Sequence, residues 1–155
     1  MDNSEIISFV REAHGGQVDL LGRDYFEFHL KPVSDIAAQI KPDDEEVIAA
    51  AWLHDVIEDT SVTALDLQKL GISERIIKAV ESVTKRTGES YEALITRSCQ
   101  DELGKYVKLA DNTLNIRNNK ILAEENPEKA ARLRQEKYLP ARERLLAACG
   151  ITSML

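Results

Sequence analysis

Apolar residues recur along this chain at the spacing of helices almost everywhere a period can be found. Ile6, Ile7, Phe9 and Val10 form one stripe, and Ser4 ahead of them has the hydroxyl of an N-cap. A first helix is therefore predicted over about residues 4–14. The period is lost in "HGGQVDLLGRDYFEFH", where Gly15, Gly16 and Gly22 permit tight turns. A second helix fits roughly residues 28–40, with Pro32 acceptable only near its first turn. Pro42 and the acidic run Asp43, Asp44, Glu45 and Glu46 suit the positive N-terminal end of a third helix. That helix is expected to run on into "AAAWLHDVIEDT" at residues 49–60.

Two short helices follow at about 63–71 and 73–85, the first closed by Gly71, and the helical pattern continues over 90–103 and about 103–122. Asn126-Pro127-Glu128 reads as a cap with proline in the first turn. It starts a last helix that should reach Gly150 with a bend at Pro140. No repeat, low-complexity tract or linker divides the chain, and no segment alternates as a strand does. The pattern predicts one all-α domain over residues 1–155, with seven or eight helices.

Composition narrows the partners. The sequence is 43% apolar and 30% charged, an ordinary globular balance, and its formal net charge of −7 disfavours broad nucleic-acid binding. A small phosphate ligand stays compatible with that charge if a local cation outweighs it. Cys99 and Cys149 are isolated thiols that signal neither a disulfide framework nor a cysteine zinc site. "MDNSEIISFVREAH" is acidic and lacks a signal-peptide core, and no apolar run reaches membrane-spanning length, so a cytoplasmic protein without a membrane partner is expected.

The chemistry begins at "AAAWLHDVIEDT". A buried helix there takes up His54, Asp55, Glu58 and Asp59, with His54 and Glu58 one turn apart, as are Asp55 and Asp59. Polar groups drawn into apolar surroundings need hydrogen bonds or a cation to offset their desolvation. "VKLADNTLNIRNN" sets Asp111 in a second apolar helix with Asn115 one turn further along, and neither position four residues from Asp111 is Lys or Arg. Lys105 and Lys108 precede it and face either phosphate or solvent. His29 lies in "YFEFHLKPV". Together His29, His54, Asp55 and Asp111 offer two imidazoles and two carboxylates from three helices, a mixed set that suits an octahedral Mn²⁺ or Fe²⁺ better than a structural zinc.

The order His, His-Asp, Asp resembles the HD superfamily of metal-dependent phosphohydrolases. "AHGGQVDLLGRDY", "LHDVIEDT", "ESVTKR", "VKLADNTLNIR" and "EKYLPARERL" are more narrowly similar to the hydrolase domain of the RelA/SpoT family, which removes the 3′-pyrophosphate from ppGpp. The resemblance covers roughly residues 13–146. It implies an HD-type helical bundle, a divalent metal, most simply Mn²⁺, held by His29, His54, Asp55 and Asp111, and a nucleotide substrate. Glu58 and Asp59 match the family's catalytic acidic pair, which handles the attacking water and the leaving group. Asn115 and Tyr138 match substrate contacts, and Lys85 and Arg23 are candidates for binding substrate charge. His14 matches a supporting position.

Two positions depart from the family's pattern. Asp19 stands where a basic residue usually helps to hold the base, and Tyr25-Phe-Glu-Phe-His29 has one residue more than the usual Tyr-x-x-His. A stand-alone phosphohydrolase acting on guanosine 3′,5′-polyphosphate is the leading expectation. The alternatives are an HD-type nucleotidase or phosphoesterase on another nucleotide, or a nucleotide-binding domain without catalysis.

Overall fold

In the computed structural model, which describes residues 1–152, capping chemistry sets where the helices begin. Asp2 caps the first helix in place of the expected Ser4. Its carboxylate accepts the Glu5 amide at 2.8 Å, and helix α1 spans Asn3–Ala13. The chain then makes a turn-rich excursion with a single antiparallel bridge between Val18 and Asp24, and among the described residues no strand forms. Helix α2 spans Lys31–Ile40, and Asp44 caps α3, Glu45–Leu53, through the Val47 amide at 3.1 Å. The expected third helix does not run through to residue 60. Asp55 takes a non-helical conformation, φ −103° and ψ 0°, and a separate turn, α4, follows at Val56–Asp59.

Helices α5 (Ala64–Lys69), α6 (Glu74–Ser82), α7 (Tyr91–Gln100) and α8 (Gly104–Glu125) come next, then α9 (Pro127–Leu133) and α10 (Leu139–Cys149). Thr63, Ser73, Ser90 and Asn126 cap α5, α6, α7 and α9 with their side chains. The all-α expectation holds. Ten α-helices appear among the described residues because two predicted helices are interrupted.

Both departures from regular helix beside a proline share one cause. Phe26–Leu30 and Arg134–Tyr138 are π-turns, and each runs directly into a helix whose first turn carries a proline, Pro32 and Pro140. A proline has no N–H and its ring presses on the carbonyl four residues back. Widening the preceding turn to i→i+5 bonding relieves that crowding, as the Lys31 amide does by bonding Phe26 O and the Leu139 amide by bonding Arg134 O. The residue that separates Tyr25-Phe-Glu-Phe-His29 from the shorter pattern is thus absorbed in a π-turn. The break in the last helix likewise precedes Pro140 as an insertion of this kind.

Helix α8 is buried on nearly all sides along its first half. Val107, Ala110 and Leu114 join the main core, with Val10, Leu30, Val33, Val47, Leu53 and Val56. Leu109 joins a second cluster with Ile95, Ala141 and Leu145. This all-round burial carries Asp111, Asn112 and Thr113 into the interior. Thr113 bonds Leu109 O, and the Asn112 amide bonds Tyr138 O at 3.0 Å, tying the second π-turn to α8. Gly104 is needed at the start of α8, because a Cβ there would lie 2.0 Å from Ser82 Oγ of α6. No helix among the described residues is long and apolar enough to cross a membrane.

Candidate active site

Four side chains from three places converge at the seam of α2, α3 and α8. His54 is the residue at which α3 ends, Asp55 occupies the break before α4, His29 sits in the first π-turn and Asp111 lies in α8. His29 Nε2 is 3.3 Å from His54 Nε2, 3.2 Å from Asp55 Oδ2 and 3.2 Å from Asp111 Oδ1. His54 Nε2 is 3.0 Å from Asp55 Oδ2 and 3.7 Å from Asp111 Oδ1. Ligands at about 2.1 Å from a cation and at right angles to one another stand about 3.0 Å apart, so this spacing is that of adjacent ligands around one ion.

The donor set also fits in orientation. His54 Nδ1 lies 2.6 Å from Ala51 O, so Nδ1 donates there and Nε2 turns to the cluster, the arrangement that metal-binding histidines use. His29, His54 and Asp111 are close enough to hold a divalent cation together, and Asp55, Glu58 and Asp59 form an acidic group beside them.

The electrostatics follow from these contacts. Burial opposes a charged His29, but Asp111 and Asp55 outweigh it and raise the imidazole to about 9. Burial works against His54 in the same way and the same carboxylates raise it too. Burial disfavours charge on Asp55 and Asp111 as well. The facing imidazoles nevertheless hold Asp55 well below the usual carboxylate range, and Lys108 together with the imidazoles does so for Asp111.

Lys108 faces neither phosphate nor solvent as a free side chain. It is nearly buried, and its ammonium bonds Asp111 Oδ2 at 3.0 Å from the position three residues earlier. The carboxylate therefore has the cationic partner that neither position four residues away supplies.

Tyr25 is a site residue that the sequence reading missed. Its hydroxyl donates to Asp55 Oδ2 and lies 3.3 Å from Asp59 Oδ2, while its ring stacks on His29 at 4.7 Å and on His14 at 5.5 Å. The only sequence signal for it is its place in the irregular segment just ahead of His29. His14 is buried, with Nδ1 2.9 Å from Gln17 Oε1, and the Gln17 amide bonds Asp59 O at 2.8 Å. Gln17 thus uses its amide group on Asp59 and its oxygen on His14, so His14 donates from Nδ1 and burial lowers its affinity for a second proton.

The remaining candidates divide. Glu58 Oε1 accepts the backbone N–H of Lys85 at 2.6 Å, whereas the Lys85 side chain is exposed. Asp59 is pushed up to about 6 by burial and by the negative charges of Asp55 and Glu58. Asn115 and Tyr138 line a cavity of about 360 Å³ that reaches His29 and Tyr25 and is walled by Leu21, Leu122 and Asn118. Arg23 is turned away from it. Its guanidinium bonds Asp19 Oδ2 at 2.8 and 2.9 Å and covers the Phe28 ring at 4.6 Å. Asp19, which does line the cavity, also accepts the Leu21 and Arg23 amides. Burial opposes its charge, and these bonds more than offset that, lowering its pKa.

A histidine, a His-Asp pair and a distant aspartate brought to one point in a helical bundle define an HD-type centre, and the family model for the HD domain matches residues 28–116, more than half of the chain. The chain belongs to the HD domain family. It is 33% identical over 145 residues to a guanosine-3′,5′-bis(diphosphate) 3′-pyrophosphohydrolase of Aquifex aeolicus, covering 88% of this chain and 20% of that protein. It is 34% identical over 146 residues to the bifunctional (p)ppGpp synthase/hydrolase SpoT of Escherichia coli, covering 87% of this chain and 20% of that one. The chain therefore spans about one fifth of the length of these curated relatives. Among solved structures, a metazoan ortholog of SpoT described as hydrolysing ppGpp superposes with a TM-score of 0.68 at 22% identity. That match covers 94% of this chain and 92% of the other and establishes a shared fold.

Proposed function

We propose that this chain is a metal-dependent phosphohydrolase that removes the 3′-pyrophosphate of a guanosine 3′,5′-polyphosphate, with Mn²⁺ as its metal. The observation that carries the reading is the convergence of His29, His54, Asp55 and Asp111 at the spacing of adjacent ligands, next to an acidic pair and at the end of a cavity. The relatives named for this activity align over most of the chain and support the choice of substrate.

His29, His54, Asp55 and Asp111 would hold the cation. When bound, it supplies Lewis acidity, that is, positive charge against the phosphoryl oxygens and a more acidic water. Glu58 accepts the proton of the attacking water, whose oxygen bonds to phosphorus as the bond from phosphorus to the ribose 3′ oxygen breaks. Asp59, raised to about 6, takes up a proton as pH falls through that value and in this form gives it to that leaving oxygen. The products are GDP or GTP and pyrophosphate. Asn115 and Tyr138 bind the substrate in the cavity, and Tyr25 fixes Asp55 relative to Asp59.

Glu58→Gln and Asp59→Asn test the two roles. Each should lower turnover by roughly 10²–10⁴-fold while bound metal stays at the wild-type level. Wild-type turnover in either variant would remove that residue from the mechanism.

A second reading keeps the metal and changes the base. It is favoured by the Asp19–Arg23 pair, which neutralises the nearest cation and leaves the cavity wall without a free basic group from this loop. Under it, another nucleotide or phosphoester is the better substrate, and a nucleotide panel separates the two.

A further inference from the structure

Glu58 is held by the backbone. Its carboxylate accepts the peptide N–H of Lys85 at 2.6 Å, from the loop between α6 and α7. The other side of that same peptide unit is the carbonyl of Thr84, and this oxygen accepts Arg97 Nη2 at 2.7 Å. One rigid, planar amide thus lies between the Arg97 cation and the Glu58 anion.

Arg97 uses all three guanidinium nitrogens on this loop and the helix end before it. It forks onto Glu89 with two bonds of 2.7 Å and donates to Glu81 O at 3.0 Å as well as to Thr84 O. Glu89 in turn accepts the Arg86 amide and closes a tight turn in which Gly88 takes a left-handed conformation, φ +77°. Ser98, the next residue along α7, bonds Ser82 O at 2.9 Å. Helix α7 therefore grips the loop at both ends of the segment that presents the Lys85 amide. Arg97 itself is four-fifths buried, and its side chain reaches neither the ligand cluster nor the cavity.

We infer that Arg97 is a positioning residue for Glu58, acting through the Thr84–Lys85 peptide. Two effects follow from the geometry. The fork fixes the loop, so the carboxylate is presented in one orientation towards the reacting water. A cation bonded to the amide oxygen also polarises the amide, which strengthens the N–H that Glu58 accepts. The inference rests on the hydrolase reading for the role of Glu58; the linkage itself does not depend on any substrate.

The test uses Arg97→Gln and Glu89→Gln in the full chain, with kcat and KM for ppGpp, bound Mn²⁺, and the amide proton shift of Lys85 by NMR. Arg97→Gln is expected to lower kcat on the order of tenfold to a hundredfold, with KM within about twofold and metal content unchanged. Its Lys85 amide proton should move upfield, as it should in Glu58→Gln. In the Glu58→Gln background, Arg97→Gln should cost no further activity, because the group it orients is gone.

Glu89→Gln keeps the arginine and its two carbonyl bonds, so it covers the case in which Arg97→Gln fails to fold. It should give a smaller loss of the same kind and a smaller shift of the same proton. An unmoved Lys85 proton, or an equal loss in the presence and absence of the Glu58 carboxylate, overturns the inference. Failure of the hydrolase reading looks different: the wild-type chain then releases no pyrophosphate, and the Lys85 resonance alone decides the linkage.

Discussion

His29 and His54 bring their Nε2 atoms within 3.3 Å, where two bare lone pairs repel unless a proton or a cation lies between them. With no cation, the proton answer is written in the raised basicity of both imidazoles, opposed by burial and driven by Asp55 and Asp111. A group raised to about 9 is protonated at pH 7, and a metal must expel that proton to use the nitrogen. Mn²⁺ binding at pH 7 is therefore expected to release protons, with apparent affinity climbing as pH rises towards about 9. Titration calorimetry in buffers of different ionisation enthalpy reads this directly; a heat independent of buffer contradicts it.

Tyr25 gives a second prediction at this scale. Tyr25→Phe keeps the stacks on His29 and His14 and removes the hydroxyl's contacts with Asp55 and Asp59. A hydrogen bond to a charged group is worth about 1.5–3 kcal/mol, so turnover should fall by at least roughly tenfold with the fold intact. Unchanged turnover would show that the hydroxyl does not matter to the site.

At this scale the sequence did not disclose the pairing of Lys108 with Asp111 or the place of Tyr25 in the site. Helical i−3 spacing is as informative as i−4, so Lys108 was legible in principle beside Asp111. The contact of Tyr25 with Asp55 spans 30 positions of chain and an irregular segment, and no local pattern encodes it.

Among the elements, what the sequence made legible were the apolar stripes, and with them the existence of nearly every helix. The ends were less legible, because a cap is a competition between neighbouring residues. Asp2 wins over Ser4, and Asp101 holds the start of α8 by accepting the Leu103 and Gly104 amides. The two π-turns were least legible. Each depends on a proline pressing on a carbonyl, and the extra residue before His29 hinted at only one of them. These turns carry His29 and Tyr138, so irregular backbone coincides with the side chains that the site uses.

Gly104→Ala tests the packing of α6 on α8. The new Cβ would meet Ser82 Oγ, which already bonds Ala79 O at 2.7 Å. Overpacking of this kind costs about 1–3 kcal/mol, so thermal unfolding should fall by several degrees. A midpoint equal to the wild type would mean that the two helices adjust freely there.

For the molecule as a whole, the net charge of −7 would repel a polyphosphate, and the site answers this locally. Lys108 offsets one carboxylate of the cluster, and a divalent cation, taking the place of the imidazole protons, would supply the charge that attracts phosphate. Most of the constellation could be read from the chain, since His-Asp followed by Glu-Asp at the end of an apolar helix needs a cation or a set of hydrogen bonds to offset its desolvation. The neutralisation of Arg23 by Asp19 could not, because an acidic residue four positions from an arginine is equally consistent with two free side chains.

The most direct test is release of pyrophosphate and orthophosphate from a panel of nucleotides, with Mn²⁺ present and then with chelator. Pyrophosphate is expected from ppGpp, abolished by the chelator and restored by Mn²⁺. Orthophosphate from a nucleoside monophosphate with no pyrophosphate from ppGpp would contradict that expectation, leaving the metal site and overturning the substrate.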